Sequence, residues 1–430
     1  MPFNYSQPHL AQVHRLEILL PLSYNEHYLV VISRLSQNRE ESLDTESLKT
    51  SVIGEIDSRR HELSELSLKI HSNPELGFQE VKAVAWLPRY LEENGFSIER
   101  GICELPTAFR GSYGEGEPTI TILAEYDALP DLGHACGHNI IATGAVGAGV
   151  ASKLAIDQFG GSIVVIGTPA EELYGGKATM IDRGAFTDVD IAIMVHPGAY
   201  DTATIQTLAC QHLEVEFFGK AAHAASQPEV GINALEALIQ SFAAINSLRQ
   251  HIKDKARIHG IITDGGEAPN VVPAHSAGSF IVRAEEDTYL DELKERVLSC
   301  FIGAATASGA RLEYRWGDVR YAPMRNNLTL ARLFSQNMQS LGRQMKLFEP
   351  NHTFGSTDMG NVSQVVPSIH PFVAIAPVEV ANHSPQFALA ATSEAGIRGL
   401  IDAAKALAMT VVDLTANSEI VSQVKQEFQQ

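Results

Sequence analysis

The sequence predicts an α/β protein: a mostly parallel central sheet with helices on both faces, interrupted by an inserted ferredoxin-like α+β unit. Three observations predict it. Apolar strand-like segments at 119–124, 162–167 and 191–195 alternate with helical patterns, as parallel strands joined by crossovers do. Near Gln211 the pattern changes to the order β-α-β-β-α-β, that of a ferredoxin-like unit. Beyond residue 318 the first pattern returns, so the second unit is inserted in the first. The expected division is a main lobe of 45–209 and 319–430, an inserted lobe of 210–318, and an N-terminal extension of 1–44.

The elements follow in order. Helical periodicity begins near Thr45 and sets Leu48, Val52, Ile56, Leu63, Leu66 and Ile70 on one face, and Ser72-Asn73-Pro74 ends it. A second helix spans about 79–93 and stops at Asn94-Gly95; Pro88 inside it should bend or shorten it. The strand at 119–124 delivers Glu125-Tyr126-Asp127 to its carboxyl end, and the small residues of 142–151 make a closely packed helix. The strand at 162–167 leads to Pro169-Ala170-Glu171-Glu172, and that at 191–195 to His196-Pro197-Gly198. Open α/β sheets bind ligands at these carboxyl ends. In the inserted lobe, strands are expected at 212–218, 257–263, 274–283 and 311–316, with helices at 232–252 and 288–306. A helix near 328–341, a strand near 372–375 and a last helix from about Ser393 complete the main lobe.

Composition narrows the function. Lys plus Arg number 32 and Asp plus Glu 51, a formal charge of −19, which argues against nucleic acid or an anionic membrane as the main partner. The four cysteines, Cys103, Cys136, Cys210 and Cys300, are sparse and scattered, which is not a disulfide framework. No unbroken apolar run has the roughly 18–20 residues of a spanning helix, and Leu16–Leu22 has neither the basic start nor the cleavage site of a signal peptide. A reducing compartment, the cytoplasm, is the expected location.

The chemistry centres on Gly133–Asn139, GHACGHN, where Cys136 and His138 stand two residues apart. Thiolate, imidazole and carboxylate together hold zinc-like ions. Cys136, His138, Glu172, His196 and His383 make five candidate ligands, enough with one bridging side chain for a pair of ions about 3.5–4 Å apart. Glu171, next to Glu172, is free to act as a base on water. Each feature alone has a commoner explanation: a Glu pair is usually a solvated surface, and a His beside Pro-Gly or in a polar loop usually belongs to a turn. Their order and context, with Glu171-Glu172 and His196 each after an apolar run, are what favour a site.

These strings resemble a family. His71-Ser72-Asn73-Pro74-Glu75-Leu76-Gly77, Tyr126-Asp127-Ala128-Leu129-Pro130, His134-Ala135-Cys136-Gly137-His138, Pro169-Ala170-Glu171-Glu172, His196-Pro197-Gly198, Gly219-Lys220-Ala221-Ala222-His223-Ala224, Asn270-Val271-Val272-Pro273-Ala274 and His383-Ser384-Pro385 match, in order, the amidohydrolase branch of the clan MH metallopeptidases. That clan includes aminoacylase, glutamate carboxypeptidase and hippurate hydrolase. The resemblance spans about 56–407. It implies a di-metal peptidase domain with a lid and dimerisation domain, a homodimer joined through 210–318, and a small peptide or N-acyl amino acid as substrate. It also implies roles. Cys136, His138, Glu172, His196 and His383 are the metal ligands, with Cys136 as the bridge. Glu171 is the general base, Asp127 orients a ligand from behind, and His223 stabilises the oxyanion, often in the other protomer of the dimer. Asn270, Arg283, Ser356 and Thr357 contact substrate, Arg283 through a carboxylate. Two divalent ions are expected, zinc favoured by the ligand types, with manganese and cobalt open.

Asn139 stands where many members of this branch have Asp. Together with Glu125-Tyr126-Asp127 and Gly355–Ser363 it is more similar to the dipeptidase subgroup, which cleaves dipeptides ending in basic residues, such as β-alanyl-lysine. The expected activity is therefore metal-dependent hydrolysis of a dipeptide or N-acyl amino acid. The alternatives are a biosynthetic relative forming an amide bond and a non-hydrolytic ligand-binding one.

Overall fold

Twelve strands fall into three sheets in the computed structural model, which describes residues 44–349 and 355–430. Contacts divide the chain after Ser47, and 48–430 form one unit. The expectation for an extension over 1–44 lies outside the described residues, Asp44 excepted. In chain order the strands are β1 (Ser97–Arg100), β2 (Phe109–Glu115), β3 (Thr119–Ala124), β4 (Gly161–Gly167), β5 (Ile191–Ile193), β6 (His196–Gly198), β7 (Ala209–Phe218), β8 (Arg257–Asp264), β9 (His275–Ala284), β10 (Arg311–Tyr321), β11 (Ser368–Ile369) and β12 (Phe372–Ala374).

The central sheet has the order β1-β2-β4-β3-β5-β11. The β4-β3, β3-β5 and β5-β11 pairs are parallel, and β1 and β2 extend one edge antiparallel. The parallel strands read as continuous apolar runs because both faces are covered. Ile120, Ile122, Ile163 and Val165 point into one hydrophobic cluster, and Leu123, Val164 and Ile166 into another. The first lies under the helices Arg60–His71, Val81–Glu93, His138–Phe159, Leu328–Ser340 and Glu394–Ala416; the second lies under Gly176–Asp182 and Met359–Val365.

The helix His138–Phe159 is the spine of the lobe, with residues from His138 to Ser152 buried. Its glycines set how closely its neighbours approach. A Cβ at Gly149 would stand 2.5 Å from Val165 Cγ2 of β4. By length and composition this helix is able to cross a membrane, which a search for an unbroken apolar run passes over; 89% of its apolar window is buried inside the protein, as in a core helix.

The inserted unit is an antiparallel sheet of order β10-β7-β9-β8, the ferredoxin-like arrangement. Helices Ala234–Leu248 and Asp287–Ser308 cover one face around a separate core that includes Leu213, Val215, Phe217, Phe280, Val297 and Phe301. From Gln211 to Phe217 β7 alternates, with Leu213, Val215 and Phe217 inward and His212, Glu214 and Glu216 outward.

Several expectations need correction. Pro88 does not shorten its helix, which runs to Glu93. The strand expected at 191–195 ends at Ile193, and His196 opens a separate strand, β6, which pairs in parallel with β12 in a two-stranded sheet. The segment near 372–375 is that partner, so it is no part of the central sheet, whose edge is the two-residue β11. The runs are too short for periodicity to separate them. The antiparallel strands β1 and β2 had no expectation at all.

Replacing Gly149 by Val should destabilise the protein by about 1–3 kcal/mol through overpacking against β4. The check is a lowered urea midpoint with an unchanged m-value.

Candidate active site

Five chain segments converge where the central strands end. β3 delivers Glu125 and Asp127, both buried. The helix His138–Phe159 starts at its ligand, after Gly137 in the left-handed region at φ 79°. A Cβ there would lie 2.5 Å from Pro197 Cγ, so glycine lets the Cys136–His138 turn close on the His196 strand. Beyond β4, Ala170 adopts φ 62°, and its N–H donates to the buried Glu80 carboxylate at 2.8 Å. That turn launches Glu171 and Glu172 into the short helix Glu171–Tyr174. His383, at φ 62°, donates its N–H to Ala135 O at 2.9 Å, which brings the last ligand beside Cys136. Left-handed backbone at non-glycine residues costs of order 1–3 kcal/mol and persists where the surroundings dictate it.

The side chains form four overlapping groups: two share Cys136, and the others join His138 with Glu171 and Glu172, and Glu125 with Glu171 and Asp358. Donor atoms of Cys136, His138 and His196 lie within 4.8 Å of one another, and so do those of Cys136, Glu172 and His383. Cys136 Sγ is 3.4 Å from His196 Nε2, and Glu172 Oε2 is 3.3 Å from His383 Nε2. Orientation is fixed from behind. His138 Nδ1 donates to Asp127 Oδ1 at 2.9 Å, and Asp127 Oδ2 accepts the Glu172 N–H at 3.0 Å. His196 Nδ1 donates to Pro197 O at 2.7 Å. Both imidazoles thus turn Nε2 inward, the tautomer that ligation requires.

The cluster fits cations. His138 Nε2, Glu172 Oε1 and Glu125 Oε2 are buried without a hydrogen-bond partner, and buried polar groups are otherwise almost always paired. Burial, then the Glu125 and Glu172 charges, push the Glu171 carboxyl far above its ordinary range. Burial and the Glu172 charge do the same to the Cys136 thiol. Burial holds His196 neutral, lowered to about 3. At His138 burial opposes protonation, but the Asp127 carboxylate outweighs it and raises the imidazole well above its ordinary value. Anions gathered this closely in low dielectric are relieved by positive charge.

Over residues 122–406 the chain matches the family described as Peptidase family M20/M25/M40. An Xaa-Arg dipeptidase of Mus musculus is 36% identical over 401 residues, which cover 90% of this chain and 93% of that protein. The chain belongs to peptidase family M20/M25/M40. A p-aminobenzoyl-glutamate hydrolase polypeptide of Escherichia coli is 30% identical, over 87% of this M20 chain and 93% of its own. Among solved structures, a dinuclear metal binding peptidase of the M20 family from Bacillus subtilis superposes with a TM-score of 0.65 at 21% identity, over 83% of this chain and 99% of that one. An aminobenzoyl-glutamate utilization protein from Klebsiella pneumoniae gives 0.63 at 19%, over 83% and 97%. At such identities the superpositions speak for the fold.

A cavity of about 440 Å³ opens over the M20 site, lined by Cys136, Glu171, Glu172, His196, His383 and the Gly355–Thr357 segment among others. Ser356 and Thr357 thus stand at the cavity as the sequence suggests. Arg283 reaches the same wall from β9, its Nη1 donating to Ser356 Oγ at 2.9 Å. Ser356 Oγ in turn donates to Leu208 O at 2.8 Å, and the Leu208 N–H to Gly355 O at 2.9 Å. On the other side Tyr321 OH donates to Glu171 O at 3.3 Å. His223 and Asn270 lie together but away from the cavity. His223 is exposed, its Nδ1 accepting the N–H groups of Ala225 and Ser226, and exposed Asn270 accepts the Ala224 N–H through its carbonyl. Asn139 makes no contact with a ligand: its Nδ2 donates to Ser67 Oγ at 2.9 Å, within the core.

Sequence reasoning missed a buried charge network under the ligands. Lys177, fully buried, donates through Nζ to Glu125 Oε1 at 2.5 Å and Asp358 Oδ1 at 2.7 Å, and through its N–H to Asp358 Oδ2 at 2.8 Å. Burial alone would raise Glu125; the Lys177 ammonium instead holds it ionised, at about 2. Glu125 Oε2 stands 3.6 Å from His138 Nε2. A lone Lys after Gly175-Gly176 carries no periodicity, so only three-dimensional contact reveals it. His370, buried with both ring nitrogens unpartnered, also lines the cavity and was missed.

Changing Asp127 to Asn keeps an acceptor but removes the charge that orders His138. Metal affinity should fall by about 10–100-fold. Calorimetric titration of zinc or manganese into metal-free protein checks this, with the melting temperature of the metal-free form as the folding control.

Proposed function

We propose that this chain cleaves the amide bond of a dipeptide or N-acyl amino acid, with dipeptides ending in a basic residue as the favoured class. As a member of peptidase family M20/M25/M40 it is a hydrolase acting on amide or peptide bonds. The observation that carries the reading is that two groups of ligands share Cys136 while Glu171 adjoins Glu172 at the cavity. Cys136, His138 and His196 would hold one divalent ion, and Cys136, Glu172 and His383 the other. Such a pair supplies positive charge that polarises a carbonyl and makes water acidic near neutrality. Thiolate and imidazole favour zinc, and manganese or cobalt also suit the set.

Glu171 is the base. Burial, and then the charges of Glu125, Glu172 and Asp358, raise its affinity for a proton. It takes the proton from the attacking water and passes it to the leaving amine. Asp127 and the Pro197 carbonyl keep His138 and His196 turned for ligation. Ser356 and Thr357 supply hydrogen bonds along one cavity wall, and Arg283 supplies charge behind it. The names of two relatives, both Xaa-Arg dipeptidases, support the choice of substrate.

Homodimerisation through the inserted unit is part of the proposal. What supports it is the edge strand β8, where Ile261 is 65% and Ile262 43% exposed. An apolar strand edge invites pairing with another chain. The exposed His223 would then serve a partner's site. Four free cysteines accord with a cytoplasmic location.

Glu171→Gln should leave metal content unchanged and lower kcat at least about 100-fold; near-normal turnover would remove Glu171 from the role of base. Treatment with a chelator should abolish hydrolysis, and zinc, manganese or cobalt should restore it to different extents. Light scattering should show a dimer that Ile261→Asp converts to monomer.

A further inference from the structure

The cavity carries a charge that the ligand set does not use. Its lining contains three carboxylates, Glu171, Glu172 and Glu379, and no Lys or Arg among the described residues. Glu379 belongs to neither ligand group. It lies between β12 and His383, in a loop anchored at both ends. The Val380 N–H donates to Pro377 O at 3.0 Å, and the His383 N–H to Ala135 O at 2.9 Å beside Cys136. Neighbours Val378, Val380 and Ala381 also line the cavity, so the carboxylate rises from an apolar rim. It is exposed and forms no ion pair among the described residues. Arg283, outside this lining, donates from Nη1 to Ser356, while its Nε is buried without a hydrogen-bond partner.

We propose that Glu379 selects the substrate by pairing with the cationic side chain of its C-terminal residue, an ammonium or guanidinium. The inference rests on the proposed hydrolysis of basic-ended dipeptides and names the residue that reads the base. An anionic side chain at this rim would meet the Glu379 carboxylate, with no Lys or Arg in the lining beside it. A cationic one gains a charge-assisted hydrogen bond at the rim. The long apolar stem of Lys or Arg packs on Val378 and Val380 while its head reaches the carboxylate.

The test uses the full-length, metal-loaded protein and four substrates: Ala-Lys, Ala-Gln, Ala-Glu and Nα-acetyl-lysine. Wild type should prefer Ala-Lys to Ala-Gln. In Glu379→Gln the ratio of kcat/KM for Ala-Lys over Ala-Gln should fall about 10-fold, as for loss of one charged hydrogen bond. The fall should sit in KM, and Nα-acetyl-lysine, which has no free α-amine, should lose as much. In Glu379→Lys the preference should turn toward Ala-Glu. The wild-type ratio should shrink with added salt. A wild-type preference that Glu379→Gln leaves intact overturns the role of Glu379 while the proposed substrate class stands. So does a loss confined to Ala-Lys and absent from Nα-acetyl-lysine, which assigns the carboxylate to the α-amine. Hydrolysis of all four without preference overturns both the class and the residue, with amide hydrolysis itself intact.

Discussion

The Asp127 carboxylate is the constraint on which the site is built. One oxygen takes the His138 ring, which begins the central helix, and the other takes the backbone of Glu172 beyond a different strand. A single buried group therefore fixes the relative position of ligands that belong to both ion-binding groups. Burying that charge is unfavourable unless its oxygens are hydrogen-bonded, and here each oxygen has a donor. Asp127 follows the carboxyl end of β3, the edge at which open parallel sheets bind ligands.

Beneath it lies a second answer to the same difficulty. Glu125, Asp358 and Lys177 are all buried, and the ammonium touches both carboxylates. Breaking such a group by removing one partner typically costs about 3–5 kcal/mol, since a bare charge is left inside. It also ties the Gly355–Thr357 wall to the strand end that carries Asp127, because Asp358 follows that wall directly in the chain. The cavity wall and the candidate ligands therefore share a foundation.

Much of this was legible beforehand, for identifiable reasons. Of the candidate ligands, Glu172 and His196 follow apolar segments that end in polar clusters, and Cys136 and His138 stand in one short string, patterns that sequence displays. The inserted unit announced itself through the alternation of β7 and the length of its helices. What stayed hidden depends on contacts between distant residues. Strands of two or three residues, such as β5, β6 and β11, leave no period to read. Lys177 looks like any polar residue until Asp358, far along the chain, is folded onto it. Asn139 drew attention as a substitution near the ligands, yet its amide faces Ser67 in the core, because successive residues of a helix point in different directions.

The two places where the chain passes between the main lobe and the inserted sheet are both parts of the site. At the first crossing Leu208 is stitched to Gly355 and Ser356; at the second Tyr321 holds the backbone of Glu171. The crossings and the cavity are thus one piece of architecture, so a substitution at either crossing bears on Ser356 or Glu171 in the cavity lining as well as on the seat of the sheet.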